Sequence, residues 1–335
     1  MTRVPLSILD LAIVGRDETL RDTFDGCVTL ARRAEELGYA RVWYAEHHNS
    51  ESIASSSPAV LIAHVAAHTS TIRLGSGGIM LPNHSPLTIA EQFGMLETLH
   101  PGRIDLGLGR APGTDQAAIK AMRRDHTASD RFAEDVLELQ AYLGDVSRVR
   151  DVVAMPGRNT NVPLYILGSS LYGAQLAAML GLPFAFASHF APQMLHQALR
   201  IYRERFTPSA VLSQPYAMAA MSVIAADSAD SAHEQFVRRR RSFVRHRLGK
   251  RQGHAWTDEE IDQFLRGPQA HHIDEIFTYA AVGTIGTVLP MVEEFQRATG
   301  ADEIITAHHA ENTESRVRSI ELLAEAWART PVGAD

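Results

Sequence analysis

The sequence contains very little of two residues that carry much enzyme chemistry, cysteine and lysine. Its 335 residues include a single cysteine, Cys27, so an intrachain disulfide and a thiolate metal cluster are both excluded. The only lysines are Lys120 and Lys250, and neither follows the GxxxxGK(S/T) pattern of a phosphate-binding loop. A nucleotide-binding P-loop is therefore excluded, and a Schiff-base lysine is hard to place.

Long apolar runs and an excess of positive charge are also missing. No stretch of about 18 apolar residues occurs, so no membrane-spanning helix is predicted. The formal net charge is -7 at pH 7, which argues against a nucleic-acid-binding surface. A lone cysteine is typical of a reducing compartment. We therefore expect a cytoplasmic protein with neither a membrane nor a nucleic acid as its partner.

The chain does contain a regular alternation of short apolar runs and amphipathic helical patterns. The predicted strands cover residues 6–12, 42–44, 72–81, 104–109, 164–167, 184–187, 216–225 and 304–307. Eight strands, each followed by a helix, predict a (β/α)8 TIM barrel over residues 1–335. A doubly wound open sheet is the alternative, because alternation alone does not separate the two. Residues 249–282 do not fit this alternation of strands and helices, and they are predicted to be an insertion between strand seven and the last unit.

Polar residues concentrate where the predicted strands end, and in a (β/α)8 barrel these positions build the active site. They are Asp10, Glu46, His47, His48, Gly77, Gly78, Arg110, Ser169, Ser170, Ser188, His189, His308 and His309. Such a concentration of His, Gly and Ser at one rim is hard to explain by packing. The sequence therefore predicts a functional site at the carboxyl ends of the strands.

Four segments resemble the bacterial luciferase-like flavin-dependent monooxygenase family. They are YAEHH at 44–48, GSGGIMLP at 75–82, GRIDLGLGR at 102–110, and 165–183 with its GSS and GLP triplets. Each segment alone is a weak signal, but their order and spacing agree from about Ser7 to Ser188. The resemblance implies a flavin-dependent oxidoreductase on a (β/α)8 barrel.

The resemblance further implies that FMN binds across the barrel mouth. Gly77 and Gly78 match the pair that carries a non-prolyl cis peptide beneath the flavin ring. The FMN phosphate would lie at Arg110, Ser169 and Ser170, at the start of the helix that follows, where N–H groups suit an anion. Taken singly, each residue is better interpreted without a cofactor, Ser169 as a helix cap and Arg110 as a solvated loop residue. The expected cofactor-binding set is completed by Glu46, Ala111, Gly168, Tyr172 and Ser188.

His47 is the candidate catalytic residue, because the ordinary pKa of histidine lies near neutral pH. His48 is expected to face the other way and to be structural. Asp10, His189 and His308 are candidate substrate-pocket residues, although loop capping is an equal alternative for Asp10. No metal site is expected.

One further charged feature is the run of four arginines at 238–241. Four successive residues point all round a helix, so most of these arginines are expected to be solvated.

These expectations combine into a two-component FMN-dependent monooxygenase. Reduced FMN, supplied by a separate NAD(P)H:flavin reductase, and O2 would oxygenate a small organic substrate, and the resemblance implies a homodimer. The alternatives are a deazaflavin-dependent hydride-transfer enzyme of the same fold and a non-catalytic flavin-binding protein. A metal-dependent barrel hydrolase using His47, His189 and His308 is a third. The segment GLGRAPG at 107–113 is not interpreted as a dinucleotide fingerprint, because its third glycine is one place late and no helix is predicted to begin for more than a dozen residues after it.

Overall fold

The computed structural model describes residues 2–15, 17–248, 256–268, 270–310 and 312–329, and of residues 126 and 246–248 only the backbone. Within these ranges the strands are β1 Leu6–Asp10, β2 Arg41–Tyr44, β3 Arg73–Met80, β4 Ile104–Gly109, β5 Leu164–Gly168, β6 Phe184–Phe186, β7 Ala217–Ala225, β8 Ala280–Gly283 and β9 Glu303–His308. The helices are α1 Leu20–Glu36, α2 Pro58–Ala66, α3 Pro86–Leu99, α4 Gln116–Ala121, α5 Phe132–Leu143, α6 Leu171–Leu180, α7 Leu195–Glu204, α8 Ala229–Leu248, α9 Asp258–Arg266, α10 Ala270–Ile276, α11 Ile285–Thr299 and α12 Thr313–Ala328. None of these described helices has both the length and the apolar character needed to span a membrane.

Eight of the described strands close into a parallel barrel. Strands β1 to β6 pair in sequence, β6 pairs with β7, β7 with β9, and β9 with β1. The predicted (β/α)8 barrel is confirmed. The open-sheet alternative is wrong, because the β6–β7 pairing leaves no sheet edge between the two halves.

The predicted insertion contains regular structure that the sequence pattern did not reveal. Two helices, α9 and α10, are followed by β8, which pairs with residues 222–225 at the carboxyl end of β7. Val282, at about which the predicted insertion ends, lies inside β8. Residues 249–255 and 269 of the predicted insertion lie outside the described residues.

Alternation of side chains along the strands separates two cores. In β1, Leu9 joins the cluster inside the barrel, whereas Ile8 packs outward against the helices. In β9, Ile305 and Ala307 face inward and Ile304 faces outward. Whether a residue stands at an inward or an outward position of this alternation is called its parity here. Parity decides on which side of the barrel wall each polar residue at a strand end lies.

A buried ionic network fills the barrel interior near the amino ends of the strands. Arg41 donates to Asp105 at 2.8 Å, to the Tyr165 hydroxyl at 2.7 Å and to Glu303 at 3.1 Å. Trp43 Nε1 also donates to Asp105, at 3.1 Å. Asp105 and Glu303 are fully buried. Burying these charges is tolerated because each carboxylate meets a guanidinium and further donors.

We predict that Asp105→Asn lowers the free energy of unfolding by about 3 kcal/mol, because it leaves the buried Arg41 guanidinium poorly compensated. Urea unfolding followed by tryptophan fluorescence measures the change. The matched control is Asp25→Asn, which breaks an exposed pair with Arg21 whose side chains are 52% and 81% exposed. That control should cost less than about 1 kcal/mol. Equal small losses in both variants would contradict the prediction.

Candidate functional site

His47 and His189 both lie at the carboxyl end of the barrel, where they follow different strands. His47 comes after β2, and its backbone N–H donates to the Ser55 carbonyl at 3.1 Å. His189 comes after β6, and its Nδ1 is buried without a hydrogen-bond partner in the described part of the chain. Burial, the charge of Arg239 and the proximity of His47 together lower the pKa of His189 to about 3. His189 is therefore a neutral imidazole at neutral pH.

Glu46 is a fully buried hub that holds the loop after β3 in place. Its Oε1 accepts hydrogen bonds from His48 at 2.9 Å, from His84 at 2.8 Å and from Asn83 at 3.3 Å. Its Oε2 accepts from the backbone N–H of Met80 at 3.0 Å. Burial alone would raise the pKa of Glu46, but these donors outweigh it and hold the pKa at about 2. Glu46 is thus a positioning residue, and its bond to His48 gives that histidine a structural role.

The peptide bond between Gly77 and Gly78 is cis, as the family resemblance implies. Neither glycine has room for a side chain. A Cβ on Gly77 would lie 2.6 Å from Leu9 Cδ1, and a Cβ on Gly78 would lie 2.6 Å from the Gly107 carbonyl oxygen. Close approach of the Gly107 backbone therefore requires glycine at position 78, whereas a side chain at position 77 would first displace the Leu9 side chain.

Arg110 and the start of α6 form an open, electropositive corner at the ends of β4 and β5. The exposed Arg110 guanidinium lies 4.2 Å from the centre of the Tyr172 ring, and none of the described carboxylates pairs with it. Ser169 and Ser170 are exposed, and Ser170, the N-cap of α6, makes no side-chain capping bond. N–H groups at a helix start and a guanidinium both favour an anion.

Three other predicted cofactor residues lie at the same end of the barrel. Ala111 is exposed directly after Arg110, and Gly168 ends β5. Ser188 is fully buried, and its hydroxyl donates to the Ala220 carbonyl at 2.5 Å. The Ser188 hydroxyl proton is therefore used to tie the end of β6 to β7.

Asp10 and His308 do not line the mouth, which corrects their placement in the substrate pocket. Asp10 accepts from the Ala12 N–H at 2.8 Å and lies 3.7 Å from Arg316 of α12. The His308 ring bonds Ser319 of α12 at 2.8 Å, and burial lowers its pKa to about 3. The physical reason is parity: each residue has the same parity as the outward-facing members of its strand. His309, one residue further along, has the inward parity.

The structure also brings together residues that sequence reasoning missed. His84 and Asn83 complete the shell around Glu46, but nothing in the sequence marks them, because they act through loop geometry. Arg239 and His309 were missed as well: burial, together with the positive charge of Arg239, lowers the pKa of both His189 and His309. Strict alternation along β9 could have selected His309 over His308. Among the described residues, no group of three His, Cys, Asp or Glu side chains could hold a metal ion.

A family model described as luciferase-like monooxygenase matches residues 6–303 of the chain. The chain belongs to the luciferase-like monooxygenase family. A family member from Escherichia coli (strain K12), named luciferase-like monooxygenase, is 46% identical over 320 residues, 95% of this chain and 96% of that protein. Membership confirms the resemblance and the expected enzyme class.

Two further family relatives cover nearly the whole chain. The N-acetyl-S-alkylcysteine monooxygenase of Bacillus subtilis (strain 168) is 33% identical over 333 residues, 96% of this chain and 98% of that protein. The crystal structure of apo-MsnO8 has a TM-score of 0.86 and 32% identity, and the match covers 98% of this chain and 100% of that one.

More distant structures share the fold alone. One is the oxygenating constituent of 3,6-diketocamphane monooxygenase from Pseudomonas putida in complex with FMN, with a TM-score of 0.72, 17% identity and complete coverage of both chains. Another is an F420-dependent secondary alcohol dehydrogenase in complex with an F420-acetone adduct, with a TM-score of 0.71 and 16% identity, covering 98% of this chain and 100% of that chain.

We predict that Glu46→Gln lowers the free energy of unfolding by about 3 kcal/mol at pH 7, because an amide N–H2 would face donors where an oxygen now accepts. The pKa of Glu46 is about 2 in the folded protein, against an ordinary value of 4.5. The stabilisation is therefore complete above about pH 4.5 and is lost as the pH falls towards 2.

Urea unfolding of both proteins between pH 7 and pH 3 measures this effect. The gap between wild type and Glu46→Gln should narrow below about pH 4.5. A gap of constant size over the whole range would show that ionised Glu46 is not the stabilising species.

Proposed function

We propose that the chain is an FMN-dependent monooxygenase that uses reduced FMN and O2 to oxygenate a small organic substrate. The observation that carries this proposal is the anion-binding corner beside the mouth, where the unpaired Arg110 guanidinium and the uncapped start of α6 converge. Family membership supports the monooxygenase class. The name of the Bacillus subtilis relative, an N-acetyl-S-alkylcysteine monooxygenase, supports a small organic substrate.

The residues at the mouth fit FMN in charge and in shape. Arg110 and the N–H groups of the first turn of α6 would hold the phosphate. The Gly77–Gly78 backbone, which carries no side chains, would lie beneath the ring. The apolar cluster of Leu9, Trp43 and other inward residues closes the barrel below and would keep water away. FMN would supply the redox chemistry, and the protein would bind it, orient it and exclude water.

His47 is the proposed acid–base residue at this mouth. It follows β2 beside the Gly77–Gly78 segment of β3, and it lies near the neutral His189. An imidazole in this position can hold or release a proton next to the ring and the substrate. Glu46 would keep the neighbouring loop, from Met80 to His84, in the geometry that receives the ring.

Electrons, assembly and compartment are part of the same proposal. The chain has no dinucleotide fingerprint, so a separate NAD(P)H:flavin reductase would supply reduced FMN. The proposed assembly is a homodimer, and the proposed compartment is the cytoplasm. The F420-bound neighbour keeps a deazaflavin cofactor as the competing choice, which a titration separates.

We predict that the wild-type protein binds FMN more tightly than riboflavin or F420, and that Arg110→Met weakens FMN binding about tenfold or more. The variant removes a charge-assisted contact to phosphate, so riboflavin binding should stay unchanged. Calorimetric titration measures each dissociation constant. Arg32→Met, an exposed change on α1 at another side of the barrel, is the matched control. Equal losses for FMN and riboflavin would contradict the phosphate assignment.

We predict that the wild-type protein, given reduced FMN and O2, inserts one oxygen atom into a member of a small-molecule panel. Mass spectrometry after reaction in ¹⁸O2 detects the product, and its absence across the panel would favour a non-catalytic flavin-binding protein. His47→Ala should lower the rate of product formation by about a hundredfold with FMN affinity unchanged. His68→Ala on the outer surface is the control, and a His47→Ala rate equal to wild type would refute the catalytic role.

A further inference from the structure

Arg239 differs from the other three arginines of its run in having no acidic partner. Arg238 pairs with Glu234 at 3.6 Å, and Arg240 and Arg241 pair with Asp274 and Asp262 of the inserted helices. By contrast, Arg239 makes no ion pair or hydrogen bond with any described residue, and its Nε is buried. Its guanidinium lies 6.0 Å from the centre of the Phe243 ring. The sequence predicted that most of this run is solvated, and it did not reveal that the side chain of Arg239 is partly buried.

His309 is a second buried group whose polar atoms have no partner. Its side chain is only 4% exposed, and neither Nδ1 nor Nε2 makes a hydrogen bond within the described structure. It has the parity of Ile305 and Ala307, which face the barrel interior. A buried imidazole without partners costs free energy, so such a group calls for a ligand or a specific role.

His189 and His309 follow strands that flank β7: Val223 of β7 is in register with His308 of β9, and the Ser222 hydroxyl of β7 donates to the His189 carbonyl at 3.4 Å. Arg239 lies on α8, the helix that follows β7. The charge of Arg239 lowers the pKa of both His189 and His309, and His189 is in turn influenced by His47. Arg239 and His309 follow β7 and β9, whereas Arg110 and the start of α6 follow β4 and β5. The cluster of Arg239, His309 and His189 therefore occupies a different arc of the mouth from the proposed phosphate site, with His47 nearby.

The chemistry of the cluster favours a single negative charge. Burial lowers the pKa of Arg239 to about 10, so the guanidinium stays charged at neutral pH although no carboxylate among the described residues pairs with it. Both histidines have lowered pKa values, so at neutral pH each imidazole offers one N–H donor rather than a second charge. One fixed cation with two neutral donors suits a planar monoanion, and a guanidinium matches the geometry of a carboxylate.

We propose that Arg239, His309 and His189 form the anion-binding part of the substrate pocket, and that the substrate of this monooxygenase carries a carboxylate. Calling the bound carboxylate a substrate rests on the proposed function, but binding of a carboxylate at this site can be tested without catalysis. Arg239 is assigned as a specificity-determining residue, because it selects the substrate by charge and takes no part in proton transfer.

The test measures binding of three carboxylates, each against its own primary amide: hexanoate, phenylacetate and N-acetylmethionine. Calorimetric titration of the wild-type protein, with and without FMN, should show at least one acid binding about tenfold or more tightly than its amide. Arg239→Met should abolish that preference, and Arg239→Lys should restore part of it. Arg238 directly precedes Arg239 on α8 and pairs with Glu234, so Arg238→Met should leave the preference for the acid intact.

Three other results would overturn the inference. If no acid binds more tightly than its amide, or if Arg239→Met keeps the preference, the cluster does not select a carboxylate. If inorganic phosphate displaces the bound acid more strongly than the amide does, the cluster binds an oxyanion other than a carboxylate. If Arg239→Met weakens FMN binding, Arg239 belongs to the cofactor site. If the wild-type protein does not bind FMN, only the proposed function is contradicted, because the carboxylate titrations are also carried out without FMN.

Discussion

A closed parallel barrel imposes one constraint on which the rest of this molecule depends: alternate side chains of each strand must face opposite sides of the wall. In β9 this rule sends Ile305 and Ala307 into the interior and His308 to α12. A residue at a strand end can therefore reach the mouth only if it has the inward parity. The chemistry available at the mouth follows from that parity and from the loops that the strands release.

Charged groups are treated differently at the two ends of the barrel. Near the amino ends, Arg41 is surrounded by Asp105, Glu303 and Tyr165, so burial is offset by partners within the protein. At the mouth, neither Arg110 nor Arg239 has a described carboxylate partner. A partly buried cation left uncompensated, such as Arg239, gains the fold nothing in stability, whereas the exposed Arg110 costs the fold little. The contrast indicates that the guanidinium groups at the mouth serve to bind ligands, and that the ionic network around Arg41 serves to stabilise the fold.

Much of the fold was accessible from the sequence, and less of the site. Strand positions and the rim of His, Gly and Ser could be predicted, because apolar runs and strand-end residues are local signals. Parity was not used for two pocket candidates, Asp10 and His308, which both face α12; for Asp10, the equal alternative of loop capping agrees with its bond from the Ala12 N–H. Strand β8 escaped notice because its four residues carry too short a pattern. Arg239 escaped because a run of identical charges hides which member turns inward, and only tertiary packing decides that.

The two unpaired cations also bear on how ligands reach a protein whose net charge is -7. Beyond a Debye length of about 8 Å at physiological salt, that excess of negative charge is largely screened and neither attracts nor repels strongly. Close to the mouth the local guanidinium groups dominate, because burial reduces screening. Under the proposals above, an anionic cofactor tail is drawn to the β4–β5 side and an anionic substrate to the β7–β9 side. The uncharged parts of both molecules then have one shared place to meet, which is beside His47.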